Sequence, residues 1–396
     1  MADWSGLPAD LLITIVERLS IPEYFVFSGV CVSWRLASRK VIHLNVRPKP
    51  QSPWLMVPGG TEDTASFFSL SDGKLRSIPL PEPKIRSRVC MGSSDGWLVT
   101  HDEACEVHLL NPITREQIAL PPLSTFYFVE KTASGFLVDD VTFLRDQGTT
   151  DYGVDSEGKR TPPMALSLEE MRRYMFQKAV LIVNGSEFTV FLIHEPGSSL
   201  SFVRAGDKGW TCLISVEGIM DIIHHEGRVY TVTTSGIVEA WDPDGFSSFK
   251  RRAIMTLPPH YDAEDFYFKS LVASPAGELM LVLREMGEYE GTESTTGFRV
   301  VLLDERKLEW TELTNIGEVA IFTGLNRSMC LSSSEFPELR GNCVYFTEGL
   351  SDIMDEHDEK RDVGIFDLKE RSVVPLESGG PHLRWPPPIW LTPSLS

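Results

Sequence analysis

Three clusters of residues carry the side chains from which catalytic or metal sites are built. Gly92-Ser93-Ser94-Asp95-Gly96 spells GxSxG, the pattern that puts a nucleophilic serine on a strained turn between a strand and a helix. Trp97-Leu98-Val99 follows it and reads as a strand, so the segment is expected to be a turn between repeating units. His101, Cys105 and His108, with Asp102 and Glu103 among them, offer zinc-ligand chemistry. A tetrahedral site needs four ligands facing one point. Around a hairpin turn these side chains alternate between faces, and a solvated hairpin tip is the expectation. His224 and His225 are neighbours, so on a strand they point apart. Asp352 to Asp362 is rich in carboxylates but lacks the glycine and spacing of a calcium loop. Neither a P-loop nor GxGxxG occurs. The expectation is a chain with no catalytic residue, no metal and no cofactor.

Composition narrows the partners. A formal charge of −19 argues against nucleic acid, because phosphate binding needs clustered Lys and Arg. The densest basic run, Lys250-Arg251-Arg252, is too short to serve. No stretch approaches the roughly 18 consecutive apolar residues of a membrane span. The start, Met1-Ala2-Asp3-Trp4, lacks the basic and apolar character of a signal peptide. Cys31, Cys90, Cys105, Cys212, Cys330 and Cys343 form no CxxC pair and read as buried thiols. A reducing location in cytoplasm and/or nucleus is expected, with no membrane partner.

The 396 residues suit a small module followed by one large domain. Leu7, Leu11, Ile15 and Leu19 recur every four residues, with Leu12 and Val16 beside them, which makes one apolar helical face. Pro8 fits a first turn, and Ser20-Ile21-Pro22 ends the helix because the residue before proline leaves the α region. Tyr24 to Gly29 and Ser33 to Lys40 predict two more short helices. Three short helices cannot bury this much apolar surface among themselves. Each buried Leu or Ile is worth about 1.5–3 kcal/mol, so either the rest of the chain or a partner protein must cover the stripe.

Leu7-Pro8-Ala9-Asp10-Leu11-Leu12, then Ile15, Leu19 and Val30-Cys31-Val32-Ser33-Trp34-Arg35, resemble the F-box in order, spacing and residue type. The resemblance implies a three-helix module over 3–42 that docks on a Skp-type adaptor, and through it on cullin and RING subunits. It implies that Leu7, Pro8, Leu11, Leu12, Ile15 and Leu19 line the adaptor contact, completed by Val30, Cys31, Trp34 and Arg35. For Trp34, an internal role in holding the helices together stands beside direct contact.

Beyond Arg47 the apolar period changes from four to two, which predicts a mainly β domain over 43–396. A glycine-plus-strand unit recurs at Gly96-Trp97-Leu98-Val99, Gly227-Arg228-Val229-Tyr230, Gly277 to Leu281 and Gly341 to Tyr345. A second strand ending in Asn or Asp follows, as in Val107 to Asn111, Glu239 to Asp242, Val301 to Asp304 and Gly364 to Asp367. A third often carries Trp, as in Trp210 to Leu213 and Trp310 to Leu313. Serial antiparallel units of this kind predict a β-propeller. Six units begin near residues 53, 93, 131, 218, 267 and 318; pairing of the last stretch with 41–57 leaves seven open. Phe268 to Val282, Gly324-Leu325-Asn326-Arg327-Ser328, Gly341 to Phe346 and Pro386-Pro387-Pro388-Ile389-Trp390 resemble the plant F-box family with a KIB-type, kelch-like C-terminal propeller.

The resemblance implies a non-catalytic substrate-recognition subunit of a Skp–cullin–F-box ubiquitin ligase, presenting a protein client on the propeller. Two rivals remain: a scaffold that binds the adaptor without delivering clients, and a propeller enzyme with a helical cap. Asp146 to Pro163 and Arg284 to Gly297 read as projecting loops, and Ser167-Leu168-Glu169-Glu170 as a capping box opening a helix to Gln177. Glu285 and Glu288 in one acidic loop, and Glu356, Asp358 and Glu359 in another, are the candidates for attracting a basic client surface.

Overall fold

The structure is a computed structural model. It describes residues 4–43, 49–146, 148, 160–185, 187–215, 217–244, 248–258, 261, 266, 268–289, 292–305, 307–348, 361–376 and 387–395. Three helices come first: α1 (Ala9–Val16), α2 (Ile21–Val30) and α3 (Val32–His43). Sheets follow, as the change of period requires.

Blade 1 is built from Ile389–Leu391, Trp54–Pro58, Thr64–Ser69 and Leu75–Pro79, in that order from the axis. Blade 2 runs from Val89–Ser94 out to Gln117–Ala119, blade 3 from Phe176–Asn184 to Thr211–Leu213, blade 4 from Ile219–His225 to Ser248–Thr256, and blade 5 from Phe268–Ala273 to Glu309–Leu313. Blade 6 has five strands, from Met329–Ser332 to Ser372–Pro375. The last stretch does pair with the first strand: Leu55 lies opposite Trp390. That pairing completes blade 1 and adds no seventh blade.

The core states the count independently. Among the described residues it falls into separate apolar clusters, one for each junction between neighbouring blades. Phe191, Phe202 and Trp241 fill the junction of blades 3 and 4. Leu271, Leu281 and Tyr230 fill the next, Val282, Phe298 and Val344 the one after, and Phe322, Tyr345 and Trp390 the junction where the ring closes. A propeller is stabilised by such face-to-face packing, with few open sheet edges.

The unit expected near residue 131 is not a blade. Val129–Lys131, Phe136–Val138 and Met164–Leu166 form a separate three-stranded sheet. The inner strands of blades 2 and 3 meet without it. Gly92 abuts the carbonyl of Ala179, where any Cβ would collide, and the Leu181 N–H donates to Ser94 Oγ at 3.2 Å. The small sheet, with α4 (Asp140–Asp146) and α5 (Leu168–Met175), lies over this junction and buries Phe126, Phe136, Phe143 and Met171 against Trp97 and Leu181. The capping box opens α5 as expected: Ser167 N–H donates to Glu170 Oε2 at 2.8 Å, and Glu170 N–H to Ser167 Oγ at 3.2 Å. The helix ends at Met175 because Phe176 starts the inner strand of blade 3.

Arg284 to Gly297 is not a loop either. Leu279–Tyr289 and Thr292–Asp304 pair in a long ribbon out to Tyr289 opposite Thr292. Asp146 to Pro163 lies largely outside the described residues.

Strand alternation sorts the connections into two faces. In blades 2 to 5 the links between second and third strands, and those leading to the next blade, share one face, which carries the small sheet and the end of the ribbon. The turns between first and second strands lie on the other. The chain enters blade 1 on this second face, since Trp54 pairs with Leu391 at the end of the inner strand. Lys49 N–H donates to Leu19 O at 3.2 Å, and Ser52 Oγ donates to Glu338 Oε1 at 2.5 Å, tying the helices to that side.

Candidate functional site

The three helices are assembled by a few specific contacts. Ser20 caps α2: its N–H donates to Glu23 Oε2 at 2.8 Å, and Glu23 N–H donates back to Ser20 Oγ at 3.4 Å. The Ser20 N–H and the Ser20 hydroxyl, which also donates to Glu23 Oε2 at 2.8 Å, hold the Glu23 carboxyl below its ordinary pKa. The helix therefore starts at Ile21 rather than Tyr24, with Pro22 in its first turn where proline is tolerated. Tyr24 donates its hydroxyl to Ser38 O at 3.2 Å. Phe27 packs on Trp34 with ring centroids 4.4 Å apart, and Trp34 Nε1 donates to Trp4 O at 3.0 Å. Trp34 thus holds the helices together.

Leu12, Val16, Ile21, Tyr24, Phe27 and Ala37 are buried, in one continuous cluster with Trp54, Ile113 and Leu395 of the propeller. Leu12 is 1% exposed, so of the ten expected contact residues it is the one facing inward. Pro8, Leu11, Ile15, Val30 and Arg35 are exposed, and Leu7, Leu19, Cys31 and Trp34 half-buried. Arg35 Nε donates to Ser28 O at 3.3 Å.

More apolar surface is left in water than the spacing suggested. Val26 is 74% and Val32 69% exposed, and Trp4, Phe25 and Leu36 also lie open. The Val32–Leu36 spacing of four was a signal available in the sequence; Phe25-Val26 has no period and was not. Single exposed apolar residues are ordinary, but a set this dense on three short helices marks a surface with a partner.

Two of the chemistry-bearing clusters, GxSxG and the His101–His108 hairpin, are built into blade 2. Asp95 and Gly96, with φ of 49° and 90°, make the hairpin turn between the first two strands of blade 2, so GxSxG lies within a blade rather than between two. Ser93 Oγ donates to Trp390 O, and Ser94 is buried. The His101–His108 hairpin is not a solvated tip: His101, Asp102 and Cys105 are buried beneath the small sheet and α5. His101 stacks on Phe176 at 4.1 Å and Cys105 Sγ donates to Leu168 O at 3.5 Å. No three His, Cys, Asp or Glu side chains among the described residues are grouped to hold a metal.

Burial gives two histidines a measurable role. It pushes the pKa of His101 from 6.5 to about 3, helped by the nearby Arg172 charge, and that of His194 to about 4 against its bond to Glu195 O. Both stay neutral when folded and protonate near 6.5 when unfolded. The unfolded state therefore binds protons first, and stability present above pH 6.5 is lost as pH falls towards 4 and 3. From pH 7 to 5 each histidine removes about 2 kcal/mol. Denaturant midpoints across that range should fall, and His101→Phe should flatten the decline; an unchanged slope would refute the assignment.

Of the expected client contacts, Glu285 is already paired. Arg299 Nε lies 2.8 Å and Arg371 Nη2 3.2 Å from its carboxylate. Glu288 follows on the same strand, opposite Glu293. Glu356, Asp358 and Glu359 lie outside the described residues. The flanks are described: Arg284 pairs with Asp362 at 2.6 Å, and Arg361 with Glu348 at 3.2 Å.

Residues 67–367 match the KIB1-4 beta-propeller family. The chain belongs to that family. Residues 4–44 match the F-box domain and span all three helices. F-box proteins from Arabidopsis thaliana are similar to the chain along most of their length. F-box protein SKIP23 is 25% identical, with 99% of this chain and 96% of the relative covered. F-box protein KIB4 is 22% identical, covering 93% and 89%, and the F-box/kelch-repeat protein KIB1 21%, covering 94% and 86%. Among solved structures, the Cps50 (Swd1) β-propeller domain of Myceliophteria thermophila is 10% identical, covers 84% of this chain and 98% of its own, and has a TM-score of 0.35. No described helix is long and apolar enough to cross a membrane.

Proposed function

We propose that this KIB-type chain is the substrate receptor of a Skp–cullin–F-box ubiquitin ligase. The observation that carries the reading is the exposed apolar face of α1 to α3 in a segment that matches the F-box. A Skp-type adaptor covers that face and bridges to cullin and RING subunits. The chain's own contribution is positional: it holds a client near the recruited enzymes and so raises the effective concentration of the reacting groups. Because the helices enter on the second face, the client is received on the first. Co-purification tests the reading. Cullin and polyubiquitinated client recovered together support it; adaptor recovered alone, even when the proteasome is blocked, favours a scaffold.

Glu356, Asp358 and Glu359 remain the proposed attractors of a basic client surface. At about 0.15 M salt the screening length is roughly 8 Å, so they act chiefly on the association rate. Reversing all three to Lys should slow association of a captured client and flatten its salt dependence, with adaptor binding unchanged. Association indifferent to the reversal and to salt would remove them from the site.

A further inference from the structure

Blade 6 breaks the antiparallel order of the ring at one place. Val319–Thr323 and Cys343–Phe346 are parallel neighbours, and an additional strand, Met329–Ser332, lies on their axial side. The chain reaches it through Gly324 to Ser328, and Leu325, Asn326 and Ser328 in this excursion are buried. Such a path would be wasteful if the segment merely joined two strands, because it must find partners for its polar groups away from its own sheet.

It finds them on the other blades. Lys178 of blade 3 donates from Nζ to Gly324 O at 2.9 Å and pairs with Asp221 of blade 4 at 2.8 Å. Ser328 Oγ donates to Asp221 at 3.4 Å, and Leu271 N–H of blade 5 donates to Asp221 Oδ2 at 2.9 Å. Thr323 Oγ1 donates to Ser270 Oγ at 2.8 Å. Across the axis, Arg327 N–H donates to Ser93 O of blade 2 at 2.8 Å. The Arg327 guanidinium grips both oxygens of Asp95, at 2.7 and 2.9 Å. Ser93 Oγ in turn donates to Trp390 O of blade 1. One connected polar network thus touches the inner strands of all six blades.

We propose that Gly324 to Ser328 is an axial strap that occupies the centre of the ring and fastens it a second time, independently of the strand pairing in blade 1. Two consequences follow. The axis is filled by the chain itself, so a client is recognised on the loops and rim of the first face and does not enter a channel. The strap also couples blades 2 and 6, which are not adjacent in the ring, so that the loops of the first face are carried on a rigid ring.

The Arg327–Asp95 pair is the part of the strap that can be altered without cutting into the core. Asp95 has a left-handed backbone, so Asn, which tolerates it, is the suitable replacement. Full-length protein carrying Asp95→Asn, Arg327→Gln, both changes, or Arg327→Lys is compared by hydrogen exchange. Each single change should speed exchange about tenfold in both Val89–Ser94 and Met329–Ser332, as expected for losing a bidentate pair in a locally opening unit. The double change should be no worse than the poorer single, because the two residues act as one. Arg327→Lys, which keeps the charge and loses the fork, should fall between. The edge strands Gln117–Ala119 and Ser372–Pro375 should not respond. Exchange at the wild-type rate in the two inner strands, or single effects that simply add in the double variant, would overturn the strap.

Discussion

Leu11→Asp with Ile15→Asp should abolish capture of the adaptor and leave the propeller intact. Both side chains are exposed on one face of α1, so neither substitution opens a hole among the helices. If the adaptor docks on this face as proposed, both positions become covered, and two carboxylates would lose their water without gaining a partner. Interface anchors of this kind are worth about 2 kcal/mol or more each, so affinity should drop by about three orders of magnitude. The β-rich circular dichroism and the main thermal transition should match the wild type. Leu12→Asp is the contrasting variant: that residue is buried, and its change should unfold the helices and lower stability as well as binding. If the Leu11/Ile15 variant still captures the adaptor at wild-type levels, the exposed face is not the docking surface.

Local periodicity carried much of this fold in plain view. The spacing of four from Leu7 to Leu19 located α1, and three of the four glycine-plus-strand repeats coincide with second strands of their blades, at Trp97–His101, Arg228–Thr233 and Leu279–Tyr289, the fourth with the third strand of blade 6, Cys343–Phe346. In the first three the repeat glycine or its neighbour sits in the turn from the inner strand, where Gly96, Gly227 and Gly277 all have positive φ. The outer strands carrying Trp310 and Cys212 were equally readable.

What escaped was tertiary. Nothing in the composition of 129–166 separates a three-stranded accessory sheet from a blade, because both are short β segments; the direct contacts of Gly92 with Ala179 and of Ser94 with Leu181 exclude it from the ring. The acidic, Gly- and Thr-rich stretch after Arg284 looked like a loop because charge usually means solvent. Its strands are held at the base by Arg284–Asp362 and Arg299–Glu285, partners remote in sequence or on the facing strand. For the helices, spacing identified the stripe but not its division, since Leu11 and Leu12 differ by one position and end up on opposite sides.

Trp390→Ala should be the most damaging single change in the propeller. Trp390 is fully buried in the three-residue strand Ile389–Leu391 that closes blade 1. Its ring meets Phe322 at 5.1 Å and Tyr345 at 6.1 Å across the junction with blade 6. Removing it leaves a cavity at the seam where the two ends of the domain meet, and buried Trp→Ala changes cost about 3–5 kcal/mol. At this chain length the thermal midpoint should fall by roughly 5–15 °C. Trp390→Phe separates packing from polarity. The indole Nε1 is buried without a described acceptor, and an unsatisfied donor costs about 1–3 kcal/mol, so phenylalanine gives up some volume and sheds that penalty. Its midpoint should stay within a few degrees of the wild type. Equal losses in the two variants would mean that the indole N–H, rather than the filled seam, is what matters there. A mild effect of Trp390→Ala would mean that the axial network holds the ring closed alone, and that strand pairing in blade 1 is the lesser of the two fastenings.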